Sequence, residues 1–138
     1  MSEQNTPQSK PSNTGGVMAG KRGLIMGVAN DRSIAWGIAA KLAEQGAELA
    51  FTFQGEALEK RVRPLAASVN SDLVLPCDVT DEASVDTVFS TLADKLGKLD
   101  FVLHAIAYSD KEELKGQYVD TSRGNFQRTM DISVYSFT

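Results

Sequence analysis

The sequence predicts an α/β fold: a doubly wound parallel β-sheet with helices on both of its faces. Two observations support this prediction. First, short apolar runs take turns along the chain with longer segments whose apolar residues recur at helical spacing. Residues 22–137 are 116 residues, or 29 for each of four strand–helix units, close to the roughly 30 of a parallel crossover unit. Second, the apolar runs are largely continuous rather than alternating, which is typical of sheets that helices cover on both sides.

The first two strand–helix units lie within residues 22–69. Strands are predicted at residues 22–27 (RGLIMG) and 48–53 (ELAFTF), both short and apolar or β-rich. The first helix begins at Ser33 and ends before Gly46, because glycine commonly follows a helix end. Its predicted apolar face consists of Ile34, Ile38 and Leu42. The apolar stripe of the second helix consists of Leu58, Val62, Leu65 and Val69. Pro64 is expected to kink this second helix or to limit its start.

The third and fourth units repeat the alternation. Residues 73–77 (LVLPC) predict a third strand with its proline near the end. The helix after it ends at Gly97, and its apolar stripe consists of Val85, Val88, Phe89, Leu92 and Leu96. Residues 99–107 (LDFVLHAIA) are a nearly continuous apolar run, which predicts a fourth strand buried on both faces. A polar stretch, 108–120, precedes a last helical pattern that runs from about Arg123 to the end.

This alternation also predicts where a ligand would bind. In a dinucleotide-binding arrangement the strand order would be 3-2-1-4, and the crevice would lie at the carboxyl ends of the strands, between the first and the fourth. Residues directly after the strands are therefore the candidates for chemistry.

Composition excludes several classes of function. The chain has 14 lysines and arginines against 18 aspartates and glutamates, a net charge of −4, whereas nucleic-acid and anionic-membrane partners favour a basic excess. No apolar run approaches the roughly 20 residues of a membrane span. With one cysteine, Cys77, and one histidine, His104, we expect no disulfide and no metal site.

The first 20 residues contain three glycines and two prolines and few apolar side chains. We expect a flexible tail at residues 1–20, ahead of a domain at residues 21–138. Because this segment has no apolar core of the kind that a secretory leader needs, the expected location is the cytoplasm.

The turn between the first strand and the first helix is the most informative motif. Residues 27–39 read GVANDRSIAWGIA. Gly27 allows the chain to reverse close to a ligand, and the N–H groups at the helix start favour a phosphate. Ser33 can cap the helix or donate to a phosphate oxygen. Gly-x-Gly-x-x-Gly would need glycine where Ala29 and Arg32 stand, so taken alone this turn also fits an ordinary strand–helix loop.

The pattern Gly-x5-Ser-Ile-Ala-x-Gly-Ile-Ala closely resembles the divergent cofactor turn of bacterial enoyl-[acyl-carrier-protein] reductases, members of the short-chain dehydrogenase/reductase superfamily. The resemblance continues in order through GAELAFTFQ (46–54), LPCDVTDEASVD (75–86), FVLHAIAYSDK (101–111) and MDISVYSF (130–137). It implies a Rossmann-type domain. It also implies an oxidoreductase of bacterial fatty-acid biosynthesis that transfers hydride from NADH to a trans-2-enoyl thioester.

The resemblance implies roles for the nucleotide-contacting positions. Gly27, Ser33 and Ile34 match the pyrophosphate side of the site. Gln54 ends the second strand, where a neutral amide can bond a ribose 2′-hydroxyl and carries no charge to favour a 2′-phosphate. NADH is therefore expected, although Arg32, Lys60 and Arg61 leave NADPH open. An exposed polar loop residue is the alternative interpretation of Gln54.

The remaining assigned positions follow the third and fourth strands. Asp78 and Val79 match the pair that holds the adenine, although a strand-end aspartate also fits a helix cap. Ile106 matches a position beside the nicotinamide ribose, and it fits equally well as a core residue. Ser109 matches a position whose backbone meets the acyl substrate, and Tyr108 is expected to line the substrate mouth.

No catalytic residue is assigned. The family's tyrosine and lysine stand at Tyr-x6-Lys spacing on the helix after the fifth strand. Tyr108 and Lys115 have that spacing, but Tyr108 directly follows the fourth strand, and Gly116 makes this segment a poor helix. Tyr135 has no lysine seven residues later within the 138 residues. We therefore expect the cofactor-binding half of the enzyme, truncated after about four units and inactive alone.

The resemblance also implies partners. These are an enoyl-acyl-carrier-protein substrate and, for full-length members, a homotetramer that we do not extend to a chain of this length. Two alternatives stay open: another short-chain reductase, which would show Tyr-x3-Lys farther along, and a dinucleotide-binding module without catalysis of its own.

Overall fold

The structure, a computed structural model, describes residues 15–138. Four parallel strands form one sheet in the order β3-β2-β1-β4. They are β1 (Arg22–Met26), β2 (Glu48–Phe53), β3 (Val74–Pro76) and β4 (Phe101–His104). The predicted 3-2-1-4 order is confirmed. Pro76, which has no N–H to donate, stands at the end of β3, an edge strand where that loss is tolerated.

The helices are α1 (Ile34–Glu44), α2 (Glu56–Ser68), α3 (Glu82–Leu96) and α4 (Arg123–Ser133). Short 3₁₀ turns occupy Lys111–Leu114, Tyr118–Asp120 and Tyr135–Phe137. The helix α2 begins well ahead of Pro64 and continues past it, so the expectation that this proline limits the helix start is wrong. None of the described helices is long and apolar enough to cross a membrane.

Two apolar clusters, one on each face of the sheet, make up the core. One cluster joins α1 and α2 to the side chains of Ile25, Leu49 and Phe51. The other joins α3 to Leu24, Met26 and Ala50, the alternate residues of the same strands. Because successive strand residues point to opposite faces, this division confirms the predicted helix-covered sheet.

The face of α1 that meets the sheet differs from the predicted one. Ile34 is 80% exposed and Ile38 is 39% exposed, whereas Ala35 and Ala39 are buried. Both sets repeat every four residues, so spacing alone does not decide between them. The alanines have little side chain to separate the helix from the strands, so the helix axis can lie close to the sheet. The predicted Ile34–Ile38 face is therefore wrong.

The burial of Ala39 and the exposure of Ile38 predict different effects of substitution at the two positions. Ala39→Leu adds side-chain atoms where no solvent reaches and is expected to lower the free energy of unfolding by about 1–3 kcal/mol through overpacking. Ile38→Ser, on the neighbouring exposed position, is expected to change it by less than about 1 kcal/mol. Urea denaturation followed by circular dichroism measures both variants. A larger loss in Ile38→Ser than in Ala39→Leu would contradict the observed packing.

The strand β4 is shorter and more exposed than predicted. It ends at His104, and Val102 is 41% exposed because, within residues 15–138, β4 pairs only with β1 and forms an edge of the sheet. The expected burial on both faces is therefore wrong. Residues 105–107, predicted as strand, leave the sheet after Ala105 donates its N–H to the Met26 carbonyl, 3.0 Å away.

The predicted N-terminal tail falls largely on residues 1–14, which lie outside the described residues. The rest of it includes a turn at residues 17–20. Met18 donates its N–H to the Gln45 carbonyl at 2.9 Å, and Val17 donates to the Gln45 side chain. A hydrogen-bonded turn thus precedes the boundary predicted at residue 21.

Candidate nucleotide-binding site

A cavity of about 330 Å³ opens at the carboxyl ends of the four strands. Parallel strands end at the same edge of a sheet, so residues far apart in sequence meet there. Six of the residues singled out from the sequence line this cavity: Gly27, Gln54, Asp78, Val79, Ile106 and Tyr108. Each follows or ends one of the four strands, as the strand order predicted.

Gly27 makes the closest approach between the first turn and the segment after β4. Its φ is +102°, a conformation that residues with side chains rarely adopt. A Cβ at this position would overlap the Ala105 carbonyl, well inside the 3.0 Å that real Cβ atoms respect. The turn therefore needs glycine for two independent reasons, and its backbone borders the cavity.

Ser33 holds the same turn together from its other end. Its hydroxyl donates to the Asn30 carbonyl at 2.6 Å and accepts from the Ala29 N–H at 3.4 Å. It occupies the N-cap position of α1, yet its side chain accepts no hydrogen bond from the first turn of the helix. The capping role that we considered for Ser33 is therefore not realised, and the helix start keeps N–H groups that a ligand can use.

Ser33 and Ile34 do not line the cavity itself. Both stand at the start of α1, and Ile34 faces outward. Ser109 is also separate from it: its hydroxyl accepts from the Asn125 side chain at 3.1 Å, in a neighbouring cavity of about 430 Å³. The structure thus brings together the predicted strand-end residues and leaves these three beside them.

Asp78 presents a carboxylate at the end of β3. Hydrogen bonds from the Thr80 hydroxyl (2.7 Å) and then from the Thr80 N–H (2.9 Å) lower its pKa, with a smaller contribution from the Gln54 side chain. The carboxylate is therefore ionised at neutral pH. Gln54 and Asp78 line the same cavity, and both are predicted to grip the same half of a nucleotide.

The helix cap near this position is a different aspartate. The Asp81 side chain accepts from the Ala83 N–H at 3.1 Å and so caps α3. Asp78 meets this helix through its backbone, because its N–H donates to the Ser84 hydroxyl at 2.9 Å. The carboxylate of Asp78 is thus fixed in place without serving as the cap of the helix.

The helix α4 contributes lining residues that the sequence did not reveal. Arg128 and Ile132, four residues apart and therefore on one helix face, both border the cavity. Arg128 places its guanidinium 4.7 Å from the centre of the Tyr108 ring. Within the segment MDISVYSF, Ile132 is an apolar residue at helical spacing. Spacing alone does not show which face of this last helix points to the strand ends.

Tyr108 and Lys115, which have the spacing of the family's catalytic pair, do not line one site in the structure. Lys115 is ion-paired with Glu112 at 3.1 Å and lies outside the cavity that Tyr108 borders. Residues 111–114 form a 3₁₀ turn rather than an α-helix. Within the described part of the chain, no group of three or more His, Cys, Asp or Glu residues is placed to hold a metal ion.

Comparison with known proteins assigns a family to this arrangement. The family model described as Enoyl-(Acyl carrier protein) reductase matches residues 27–138. The "Enoyl-[acyl-carrier-protein] reductase [NADH] 2" of Rhizobium meliloti is 70% identical over 123 residues, covering 89% of this chain and 46% of that protein. The FabI reductase of Rickettsia bellii is 50% identical over 123 residues, covering 89% and 47%. The chain spans about half the length of these curated relatives.

Solved structures agree with the sequence relatives. FabI from Candidatus Liberibacter asiaticus superposes with a TM-score of 0.87 at 54% identity, over 89% of this chain and 48% of that one. The reductase of Anaplasma phagocytophilum, crystallised in complex with NAD, superposes with a TM-score of 0.85 at 59% identity, over 90% and 47%.

Proposed function

The chain belongs to the enoyl-(acyl carrier protein) reductase family, and from that premise we propose that its strand-end cavity binds NADH as the cofactor site of an enoyl-[acyl-carrier-protein] reductase. The observation that supports this most directly is the single cavity bordered by Gly27, Gln54 and Asp78. Relatives named for NADH, and one solved in complex with NAD, have the same fold. When bound, NADH would supply the hydride that reduces a trans-2-enoyl thioester.

The residues at the first turn suit the diphosphate. The lack of a Cβ at Gly27 lets the first turn lie against the Ala105 carbonyl, and this turn borders the cavity. The α1 helix start offers N–H groups that the Ser33 side chain does not occupy. The Ser33 hydroxyl fixes the turn through Ala29 and Asn30. These groups bind and orient an anion without reorganising when it arrives.

The residues after β2 and β3 suit the adenosine. We assign the Asp78 carboxylate to the exocyclic amine of adenine and the Val79 N–H to a ring nitrogen. The Gln54 amide is assigned to the ribose 2′-hydroxyl, which favours NADH over NADPH. The hydrogen bonds from Thr80 support this assignment, because they hold the carboxylate ionised and oriented.

The residues after β4 are assigned to the reactive end. Ile106 packs beside the nicotinamide ribose, Tyr108 borders the substrate mouth, and the Ser109 backbone meets the acyl group in this proposal. The substrate is an enoyl thioester of acyl carrier protein, and the complete reductase is a cytoplasmic homotetramer. The proton donor for the reaction is not assigned to any residue of this chain.

A substitution at Asp78 tests the nucleotide assignment. Asp78→Asn removes the charge but keeps the shape, so we expect affinity for NADH to fall about tenfold with the loss of a charge-assisted hydrogen bond. Asp81→Asn is the matched control, because asparagine caps helices as well as aspartate does and Asp81 lies outside the cavity. Titration by NADH fluorescence measures both. A folded chain that does not bind NADH saturably would contradict the proposed function.

The same site has a predictable pH dependence. Because the pKa of Asp78 is lowered in the folded protein, its ionised form persists as pH falls from neutral to the ordinary range of an aspartate. The contribution of Asp78 to NADH binding and to folding should be present above that range and be lost only as pH falls through the lowered pKa. Loss of the Asp78-dependent affinity near pH 6 would count against an ionised carboxylate.

A further inference from the structure

We propose that Arg128 binds a phosphate group at the mouth of the cavity and that the ring of Tyr108 holds its guanidinium ready to do so. This inference rests on the proposed function, because it concerns the same cavity, but it adds a charged residue from α4 that the sequence motifs did not indicate. The ligand chemistry is a phosphate ester or diphosphate.

The Arg128 guanidinium lies against the Tyr108 ring, and two hydrogen bonds hold the Tyr108 backbone to α4. It lies 4.7 Å from the centre of the Tyr108 ring, within the range of a cation–π interaction. The backbone of Tyr108 is in turn tied to α4, because the Tyr108 N–H donates to the Ser133 hydroxyl at 3.0 Å and that hydroxyl donates to the Tyr108 carbonyl at 3.2 Å. The helix α4 and the backbone of Tyr108 are therefore fixed relative to each other.

The positive charge of Arg128 favours an anion at its end of the cavity. The charged side chains among its described lining residues are Asp78 and Arg128. Arg22 and Arg63 have carboxylate partners at 3.1 Å and 2.7 Å, whereas no carboxylate of residues 15–138 lies within 4.0 Å of the Arg128 guanidinium. A guanidinium that is held on a ring and not neutralised offers planar donors suited to phosphate.

Under the proposed function, two ligands could bring a phosphate group to Arg128. One is the diphosphate of NADH, whose adenosine end is assigned to Gln54 and Asp78. The other is the phosphate of a phosphopantetheine thioester, which would enter beside Tyr108. Both are the same chemistry at the guanidinium, so binding experiments with separate probes distinguish them.

The experiment compares Arg128→Gln and Arg128→Lys with the parent chain by isothermal titration calorimetry. The probes are ADP-ribose and 4′-phosphopantetheine, with adenosine and pantetheine as their phosphate-free counterparts. We expect Arg128→Gln to weaken the binding of one phosphate probe about tenfold and Arg128→Lys to weaken it less, because lysine keeps the charge but not the planar fork. Binding of the phosphate-free counterparts should not change.

Arg63→Gln is the matched control for the loss of one positive charge. Arg63 also lies over an aromatic ring, 5.6 Å from the centre of Phe53, but it pairs with Glu59 and does not line the cavity. It should leave both phosphate probes unaffected. Circular dichroism checks that each variant is folded. Arg128 is exposed, so its substitution is expected to leave the fold intact.

The outcomes separate this inference from the proposed function. Weaker binding of ADP-ribose assigns Arg128 to the cofactor, and weaker binding of 4′-phosphopantetheine alone assigns it to the substrate; both support a phosphate-binding role. Unchanged affinity for both probes in Arg128→Gln, with NADH still bound by the parent chain, overturns the inference and leaves the proposed function intact. A parent chain that does not bind NADH overturns both.

Discussion

Replacing Gly27 by valine is expected to abolish measurable NADH binding and to lower the free energy of unfolding by about 3 kcal/mol or more. Two effects add. Valine at a φ of +102° is strained because its branched side chain meets the backbone. Its Cβ would also overlap the Ala105 carbonyl, so the first turn and the segment after β4 must separate. These two segments border the cavity, and their separation would displace the surface assigned to the diphosphate.

Gly37→Ala is the control for the chemical change itself. Gly37 lies inside α1 without a positive φ, and a Cβ added there would meet no atom outside the neighbouring backbone of its own helix within 4 Å. Alanine there is expected to raise the free energy of unfolding by up to about 1 kcal/mol, since it is the better helix former. Urea denaturation gives both stabilities, and NADH titration follows the Gly27 variant. If Gly27→Val bound NADH like the parent chain, the close approach at this turn would not matter for the site.

The topology and half of the site could be predicted because they depend on local patterns. Apolar runs and helical stripes define strand–helix units, and a chain of such units has few ways to form a parallel sheet. Once the order is known, the residue after each strand is at the ligand edge. Gln54 and Asp78 were placed at this edge in this way, and both line the strand-end cavity.

What could not be predicted depends on packing between elements. Ile34 and Ile38 repeat at the same spacing as Ala35 and Ala39, so only the packing of α1 against the sheet decides which pair is buried. Arg128 reaches the cavity because hydrogen bonds between Ser133 and Tyr108 orient α4. Neither relation is visible in spacing, since both join segments that are separated by other elements.

The second large effect is expected in the core. Phe51→Ala should lower the free energy of unfolding by about 3–5 kcal/mol, a large part of the roughly 5–15 kcal/mol that stabilises a domain. Phe51 is fully buried in β2, pairs with Ile25 in β1 and with Val74 in β3, and lies 6.3 Å from Trp36 of α1 between ring centres. Its removal leaves a cavity where the sheet and α1 meet.

Phe89→Ala is the matched control, because it makes the same chemical change on a residue that the helical stripe of α3 predicted to be equally buried. In the structure Phe89 is 42% exposed, beside Leu99 and Val102 at the β4 edge, whereas Val88 and Leu92 make the contact with the sheet. We expect a loss below about 1 kcal/mol, since little apolar surface is uncovered by truncating a half-exposed ring. Urea denaturation of the two variants therefore separates membership of a helical stripe from burial in the core: equal losses would mean that the outer face of α3 is covered in solution, and unequal losses that stability follows the packing seen around Phe51.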